Sequence, residues 1–185
     1  VRELLFLSAQ TGFEFKDEDL NVVVTRSLSL LNSELLAARV EVVRGLAPGL
    51  PAVRMDARKM EQVLLNLFIN AIQAMPPCGT LSVRTRSGCL GEDLQLNGRV
   101  ASQFRSGDRL VVAEVQDSGP GVPREHLARV FDPFFTTKPV GEGTGLGLSI
   151  VKKIMDLHQG ALEIRNVPEG GAVVTLAFRT PGASP

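Results

Sequence analysis

The sequence predicts an α+β fold, a two-layer sandwich in which a mixed β-sheet carries three long helices on one face. Apolar residues recur at helical spacing in the segments 17–39, 57–75 and 148–158. The segments between them are shorter, and several alternate apolar and polar residues as strands do. Helices and strands follow one another in mixed order, which favours a single sheet covered by helices on one side.

The charge balance, the length of the apolar runs and the cysteine content exclude several classes of protein. Twenty basic and twenty acidic residues cancel, so no overall field attracts nucleic acid, and we expect no nucleic-acid partner. No apolar run approaches the roughly 20 residues that span a bilayer. Cys78 and Cys89 are too few for a disulfide framework and lack zinc-ligand spacing. We therefore expect reduced thiols and a cytoplasmic domain, whose parent protein is either soluble or membrane-anchored.

Polar residues mark the ends of the predicted helices. Asp17 is expected to cap the first helix and Asp56 the second. Pro76 and Pro77 end the second helix, and Gly160 ends the third. The remaining expectations are strands at 40–44, 81–86, 110–115, 161–166 and 172–178, a surface loop at 88–107 and a short helix at 123–130.

The second helix carries a polar stripe beside its apolar face. Its members recur four, four and three residues apart, which places them on one side of the helix: Gln62, Asn66, Asn70 and Gln73. Asparagine is a mediocre helix former, so two of them one turn apart need a reason. One interpretation is a solvated face. The other is a pocket in which amide oxygens approach a hard cation such as Mg²⁺.

The sequence has two glycine-containing motifs, of which the first follows a predicted strand and the second precedes a predicted helix. Asp117, Gly119 and Gly121 form an Asp-x-Gly-x-Gly string at a strand end, where the carboxylate could accept a hydrogen bond from an exocyclic amine. By itself such a string is most often only a turn.

The second motif alternates glycine with other residues at positions 141, 143, 145 and 147 and opens the third helix. Glycines allow backbone N–H groups to come close to a ligand, and a helix N-terminus attracts phosphate. The spacing fits neither the Walker loop nor the Rossmann fingerprint. Thr136, Thr137 and Lys138 add hydroxyls and a cation next to this loop.

The order of these motifs resembles the ATP-binding catalytic domain of bacterial sensor histidine kinases, in the larger ATPase family of gyrase, a heat-shock chaperone and a mismatch-repair ATPase. Residues 62–74 resemble its N box, 117–121 and 141–147 its two glycine boxes, and 131–135 its F box. The resemblance covers about residues 17–180. It is strongest to kinases of the nitrogen-regulation type, and it implies a Bergerat-type fold with a glycine-rich ATP lid.

The resemblance implies a role for each matching residue. Asn70 would ligate the Mg²⁺ that bridges the ATP phosphates, and Asn66 and Lys138 would act in catalysis at the same end of the site. Asp117 would bind the adenine amino group. The other implied nucleotide-binding residues are Gly119, Gly121, Thr136, Thr137, Gly143, Thr144, Gly145, Leu146, Gly147, Leu148 and Thr175.

Two departures refine the implied chemistry. In hydrolysing relatives a glutamate stands at the position of Asn66 and acts as base on water. An amide cannot take that proton, so phosphoryl transfer is expected rather than hydrolysis. Many sensor kinases also carry Lys or Arg and an aromatic residue directly after the N box, where this chain has Gln73 and Ala74.

The implied acceptor, a histidine on a dimeric helical hairpin, is not found in the expected place. His126 and His158 fit a surface position and a helix end better. We expect residues 1–12 to be the C-terminal tail of that hairpin, 13–181 to be the catalytic domain and 182–185 to be a disordered tail.

The expected partners are the chain's own dimerisation domain and the receiver domain of a response regulator. The fragment is expected to be monomeric and the full-length protein homodimeric. A hydrolytic ATPase, an anti-sigma-factor-type serine kinase and a non-catalytic nucleotide-sensing module of the same fold are the alternatives.

Overall fold

The computed structural model describes residues 12–96, 98–138 and 143–181. The expected hairpin tail, apart from Gly12, and the expected tail at 182–185 lie outside these residues, as does Gly141 of the glycine-rich motif. In the described part of the chain, the helices and strands in chain order are β1 (Lys16–Glu18), α1 (Leu20–Leu30), α2 (Asn32–Ala37), β2 (Glu41–Leu46), β3 (Val53–Met55), α3 (Ala57–Ala74), β4 (Thr80–Cys89), α4 (Gly98–Ser102), β5 (Arg109–Asp117), α5 (Gly147–Leu157), β6 (Ala161–Asn166) and β7 (Ala172–Arg179). None of these helices combines the length and the apolar character needed to cross a membrane.

The main sheet has five strands in the order β2-β4-β5-β7-β6. The β2–β4 pair is parallel, and the β4–β5, β5–β7 and β6–β7 pairs are antiparallel. The predicted mixed sheet is therefore confirmed. Two short strands that were not predicted, β1 and β3, form a separate antiparallel pair beside it.

One face of the sheet carries the main core and the three long helices α1, α3 and α5. Alternate residues of β5, Val111, Ala113 and Val115, point into the same cluster as Phe68 of α3 and Met155 of α5. This alternation follows from the two-residue period of a strand. The predicted two-layer arrangement, with helices on one face, is confirmed.

The opposite face is partly covered by the segment that was predicted to be a surface loop. Residues 88–107 instead include the end of β4 and the helix α4, and they form a second apolar cluster with β5, β6 and β7. Leu94 and Val100 are each about 1% exposed there. The prediction failed because the apolar side chains that anchor the segment are few and stand among four glycines and many polar residues. The sequence of the segment therefore looks like that of a loop.

Some helix boundaries also differ from expectation. Asp17 pairs with Arg54 in the short sheet, and Asp19 instead caps α1 by accepting a 2.8 Å hydrogen bond from the backbone N–H of Asn21. The first helix ends at Leu30 and a second one begins at Asn32. The expected helix at 123–130 is a series of turns whose hydrogen bonds join residues three apart.

Candidate functional site

A cavity of about 360 Å³ lies between α3, the end of β5, β7 and the segment that leads into α5. Its size falls within the roughly 300–1,000 Å³ typical of small-molecule sites. Of the residues implied by the resemblance, those that line the cavity are Asn66, Asn70, Asp117, Gly121, Thr136, Thr137, Lys138, Gly143, Thr144, Gly145, Gly147 and Leu148. The structure therefore brings together motifs that are up to 82 positions apart in the sequence, from Asn66 to Leu148.

One end of the cavity is formed by the two asparagines of α3. The helix begins at the predicted cap, where Asp56 Oδ1 accepts hydrogen bonds of 3.0 and 3.1 Å from the N–H groups of Arg58 and Lys59. A Cβ added to Gly147 would lie 3.8 Å from both Asn66 Oδ1 and Asn70 Nδ2. The two amides thus face the first turn of α5. This arrangement favours the pocket interpretation for Asn66 and Asn70. Gln73 also lines the cavity, whereas Gln62, at the start of the stripe, does not.

The donor chemistry at this end fits a hard cation. Asn66 and Asn70 offer neutral amide oxygens one helical turn apart, and Mg²⁺ is usually held by a few protein oxygens together with substrate phosphates. The residues present could therefore hold Mg²⁺ alongside a phosphate chain.

Asp117 lies at the other end of the cavity, where β5 ends. Its Oδ1 accepts hydrogen bonds from the N–H groups of Gly119, at 2.8 Å, and Ala172, at 3.4 Å. Burial raises the pKa of the Asp117 carboxyl above its ordinary value of 3.8, while these backbone donors partly oppose the shift. The backbone around it is close-packed, since a Cβ on Gly171 would lie 1.9 Å from the Asp117 carbonyl oxygen.

Asn166, which was not among the residues predicted from the sequence, stabilises the cavity wall next to Asp117. Asn166 Oδ1 accepts a 2.8 Å hydrogen bond from the N–H of Val122, and Asn166 Nδ2 donates a 2.7 Å bond to the Val122 carbonyl. This pair of bonds fixes the backbone directly after Gly121. The partners are 44 positions apart, so only the hairpin geometry of β6 and β7 reveals the contact.

A further wall is formed by residues 136–138 and 143–147, which we call the lid loop. Gly145 has a positive φ of 66°, and a Cβ there would lie 2.4 Å from the carbonyl carbon of Phe134. Glycine is therefore required at this position both by backbone conformation and by space. Phe134 itself has φ 64° and is 72% exposed, which is an uncommon conformation for a bulky residue.

The lid loop runs directly into α5, whose first turn faces the cavity through Gly147 and Leu148. Leu146 occupies the cap position, and no side chain in the described part of the chain caps this end. The backbone N–H groups in the first turn of α5 therefore remain available to an anion, and the helix dipole favours an anion at this end.

Two implied residues lie behind the lining rather than in it. Leu146 is 7% exposed, and Gly119 packs with its Cα against the Ala74 carbonyl, 2.9 Å from where a Cβ would be. Gly119 acts on the cavity through its hydrogen bond to Asp117.

Thr175 lies on the face of the sheet opposite the cavity. On β7 its neighbours Val174 and Leu176 point into the helix-side core, so Thr175 points to the opposite face, where it is paired with Glu114 and Glu163. The prediction that Thr175 binds the nucleotide in this cavity is therefore wrong. The residues of β7 that line the cavity are Ala172 and Val174.

The two histidines also differ from each other. His126, expected at the surface, lines the cavity, and its ring meets Phe135 edge-on at 5.3 Å between centroids. Its Nδ1 is buried without a hydrogen-bond partner among the described residues. His158 lies at the C-terminal end of α5, as expected, and is 9% exposed.

Comparison with known proteins adds a family match to this geometry. Residues 55–182 match the family described as histidine kinase-, DNA gyrase B- and HSP90-like ATPase. The match includes α3, Asp117, the lid loop and α5.

Curated relatives extend the match to most of the chain. The sensor histidine kinase ZraS of Klebsiella oxytoca is 33% identical over 175 residues, which are 95% of this chain and 34% of that protein. The sensory histidine kinase/phosphatase NtrB of Salmonella typhimurium is 35% identical over 152 residues, 82% of this chain and 40% of that protein. The chain thus spans about a third of the length of such relatives.

Solved structures of the histidine kinase ThkA share the fold. Its catalytic domain is 28% identical, with a TM-score of 0.71, and the similarity covers 91% of this chain and 100% of that one. The complex of ThkA with the response regulator protein TrrA also matches at a TM-score of 0.71, with 26% identity over 97% of this chain and 46% of ThkA.

Proposed function

We propose that this chain, which belongs to the family of histidine kinase-, DNA gyrase B- and HSP90-like ATPases, donates the γ-phosphoryl group of Mg²⁺-bound ATP to a histidine outside residues 1–185. Within that family it is an ATP-binding catalytic domain of the sensor histidine kinase type. The single observation that carries the proposal is the placement of Asn66 and Asn70 opposite the first turn of α5 in the same cavity as Asp117.

The cavity offers matching groups for the adenine and for the phosphates of ATP. At one end the Asp117 carboxylate accepts a hydrogen bond from the adenine amino group. At the other end the backbone N–H groups at the start of α5 would face the phosphates, and Lys138, which also lines the cavity, would bring its ammonium to them. Asn70 would hold Mg²⁺, which neutralises phosphate charge when bound, and Asn66 would support it one turn away. Phosphoryl transfer depends mainly on such positioning and charge neutralisation.

The same residues favour transfer over hydrolysis. Activation of water requires a group that can accept its proton, and neither Asn66 nor Asn70 can do so. A phosphoryl group that is positioned but not attacked by activated water remains available to another nucleophile.

The acceptor in this proposal is a histidine on another segment or chain. The imidazole of His158 uses both ring nitrogens, bonding the Ile154 carbonyl at 2.8 Å and the Asp56 N–H at 3.0 Å, so it is not a free nucleophile. Sensor histidine kinases such as ZraS are about three times as long as this chain. We therefore assign residues 13–181 to the catalytic domain and place the acceptor on a dimerisation domain that the complete protein supplies.

Relay to a response regulator completes the proposal. Its support is the similarity to ThkA, which was solved in complex with the response regulator protein TrrA. We propose that the phosphoryl group passes from the acceptor histidine to an aspartate of a receiver domain, and that the complete protein is a homodimer that keeps this domain in the cytoplasm.

The test supplies the missing acceptor. The chain is incubated with γ-labelled ATP, Mg²⁺ and a histidine-bearing helical hairpin from a related sensor kinase. We expect acid-labile, alkali-stable label on the hairpin and none on this chain. Asn70→Ala should abolish the label, and Gln62→Leu, which alters α3 away from the cavity, should not. ATP binding without any transfer would instead indicate a nucleotide-sensing module.

A further inference from the structure

A side chain of α3 that has no assigned role contacts the lid loop. The Nζ of Lys138 donates a hydrogen bond to Oε1 of Gln73, 65 positions earlier. Gln73 lies three residues after Asn70, in the last turn of α3, and both Gln73 and Lys138 line the cavity. This contact joins the lid loop to the helix that carries the two asparagines.

The whole lysine side chain is guided towards α3. Its backbone N–H donates a 3.1 Å hydrogen bond to Thr136 Oγ1, which fixes the start of the residue. Its stem lies against Gly143, since a Cβ on that glycine would be 3.2 Å from both Cβ and Cδ of Lys138. The ammonium then reaches Gln73. The direction of the side chain is thus set at three points along its length.

The amide of Gln73 binds the ammonium of Lys138 differently from the way a carboxylate would. A carboxylate at position 73 would hold an ammonium more strongly, but it would also cancel its charge and repel phosphate. The amide of Gln73 accepts one of the three ammonium hydrogens and carries no charge. This hydrogen bond therefore directs the ammonium without neutralising it.

We propose that Gln73 is a positioning residue, which holds the ammonium of Lys138 at the phosphate end of the cavity for contact with the β- and γ-phosphates. The inference rests on the proposed function, because it assigns a role within the same ATP site. Gln73 acts through Lys138 and need not touch the nucleotide itself.

The test compares affinities for ATP and adenosine, measured by titration calorimetry in the presence of Mg²⁺. Gln73→Leu should weaken ATP binding roughly three- to tenfold, the size of one typical hydrogen bond, and leave adenosine binding unchanged. Lys138→Met should weaken ATP binding at least as much. The double variant should resemble Lys138→Met alone, because both substitutions remove the same contact.

Gln73→Glu separates positioning of a charge from simple tethering of the loop. A carboxylate would tether Lys138 more strongly, so a role in tethering alone predicts ATP binding as tight as in the wild type or tighter. The proposal predicts the opposite, an ATP affinity no better than that of Gln73→Leu. Retained or tighter ATP binding in Gln73→Glu would overturn it.

The controls separate failure of this inference from failure of the proposed function. Gln62→Leu makes the same change on α3 outside the cavity lining and should bind ATP normally. Gln73 is exposed, so its variants should fold, which their thermal unfolding curves would verify. If the wild type binds ATP and the Gln73 variants bind it within twofold, the inference alone is wrong. If the wild type does not bind ATP, the proposed function is wrong and the inference with it.

Discussion

The imidazole of His158 accepts a 3.0 Å hydrogen bond at Nε2 from the backbone N–H of Asp56, so the end of α5 is tied to the beginning of α3. Its Nδ1–H donates to the Ile154 carbonyl at 2.8 Å. The rings of Phe13 and Phe15 cover the imidazole at centroid distances of 5.7 and 4.9 Å. The helices α3 and α5, which both line the cavity, are thus joined away from its lining by a neutral histidine.

This contact predicts a pH dependence of stability. Burial lowers the pKa of His158 below its ordinary value of 6.5. The stabilising contribution of the neutral ring is complete above about pH 6.5 and is lost as pH falls from there towards the lowered pKa, because only the unfolded chain takes up the proton. The slope is at most about 1.4 kcal/mol per pH unit.

Urea unfolding between pH 7.5 and 5.5, without nucleotide, measures this effect. His158→Gln removes the titrating group, so the free energy of unfolding of this variant should depend less on pH than that of the wild type. Leu36→Ala, a substitution at an exposed residue that removes no ionisable group, should retain the wild-type slope. Equal slopes for the wild type and His158→Gln would contradict the assignment.

Asp117→Asn should separate ATP binding from stability. Since burial raises the pKa of this carboxyl, its contribution to stability is fully present below the ordinary value of 3.8 and is lost as pH rises through the raised pKa. The folded chain therefore disfavours the ionised form, and the amide should be tolerated or slightly stabilising at neutral pH.

The same substitution should lower the affinity for ATP. The amide of Asn accepts more weakly than a carboxylate, so we expect affinity to fall by roughly 10- to 100-fold. Calorimetry with ATP and thermal unfolding check both effects, with the exposed Asp156→Asn as the matched control. Normal ATP affinity in Asp117→Asn would exclude the proposed adenine contact.

Gly145→Ala tests the packing of the lid loop on the F-box segment. The new Cβ would lie 2.4 Å from the Phe134 carbonyl carbon, and overpacking of this kind typically costs about 1–3 kcal/mol. Gly49→Ala is the control, because Gly49 has a similar φ of 65° but no atom near the new Cβ. Both variants should lose some stability from backbone strain, and only Gly145→Ala should lose ATP affinity. Equal ATP affinities in the two variants would show that the contact with Phe134 does not shape the site.

Leu94→Ala tests the apolar cluster on the far face of the sheet. Leu94 is 1% exposed, so the truncation should lower the free energy of unfolding by about 2–4 kcal/mol. Leu36→Ala, at a residue that is 70% exposed, should change it by less than about 0.5 kcal/mol. ATP affinity should be unchanged in both. A stability loss as small in Leu94→Ala as in Leu36→Ala would mean that residues 88–107 are the simple surface loop that the sequence suggested.

Motifs with local spacing were predictable from the sequence, and contacts between distant segments were not. Asn66 and Asn70 share a helix face because they are four residues apart, and Gly145 lies in a loop whose alternating glycines are visible directly. The prediction for Thr175 was wrong because a strand assignment without its register cannot say which face a residue occupies, and a shift of one residue reverses the answer.

Other features depend on partners that the sequence does not reveal. Asp17 was an acceptable helix cap, but pairing between β1 and β3 places it in a strand, so Asp19 caps α1 instead. Asn166 is an ordinary residue at a strand end until the fold brings Val122 against it. His126 lines the cavity because the turns at 123–130 fold back onto Phe135.

Chemical-shift mapping of an isotopically labelled chain titrated with ATP and Mg²⁺ tests the central claim most directly. We predict the largest shifts for the backbone amides of Gly119, Gly145 and Gly147 and for the side-chain amides of Asn66 and Asn70. Amides of the far-face cluster, such as those of Leu94 and Val100, should remain unchanged. Shifts centred on that far face, or none at saturating ATP, would contradict the assignment of the cavity as the ATP site.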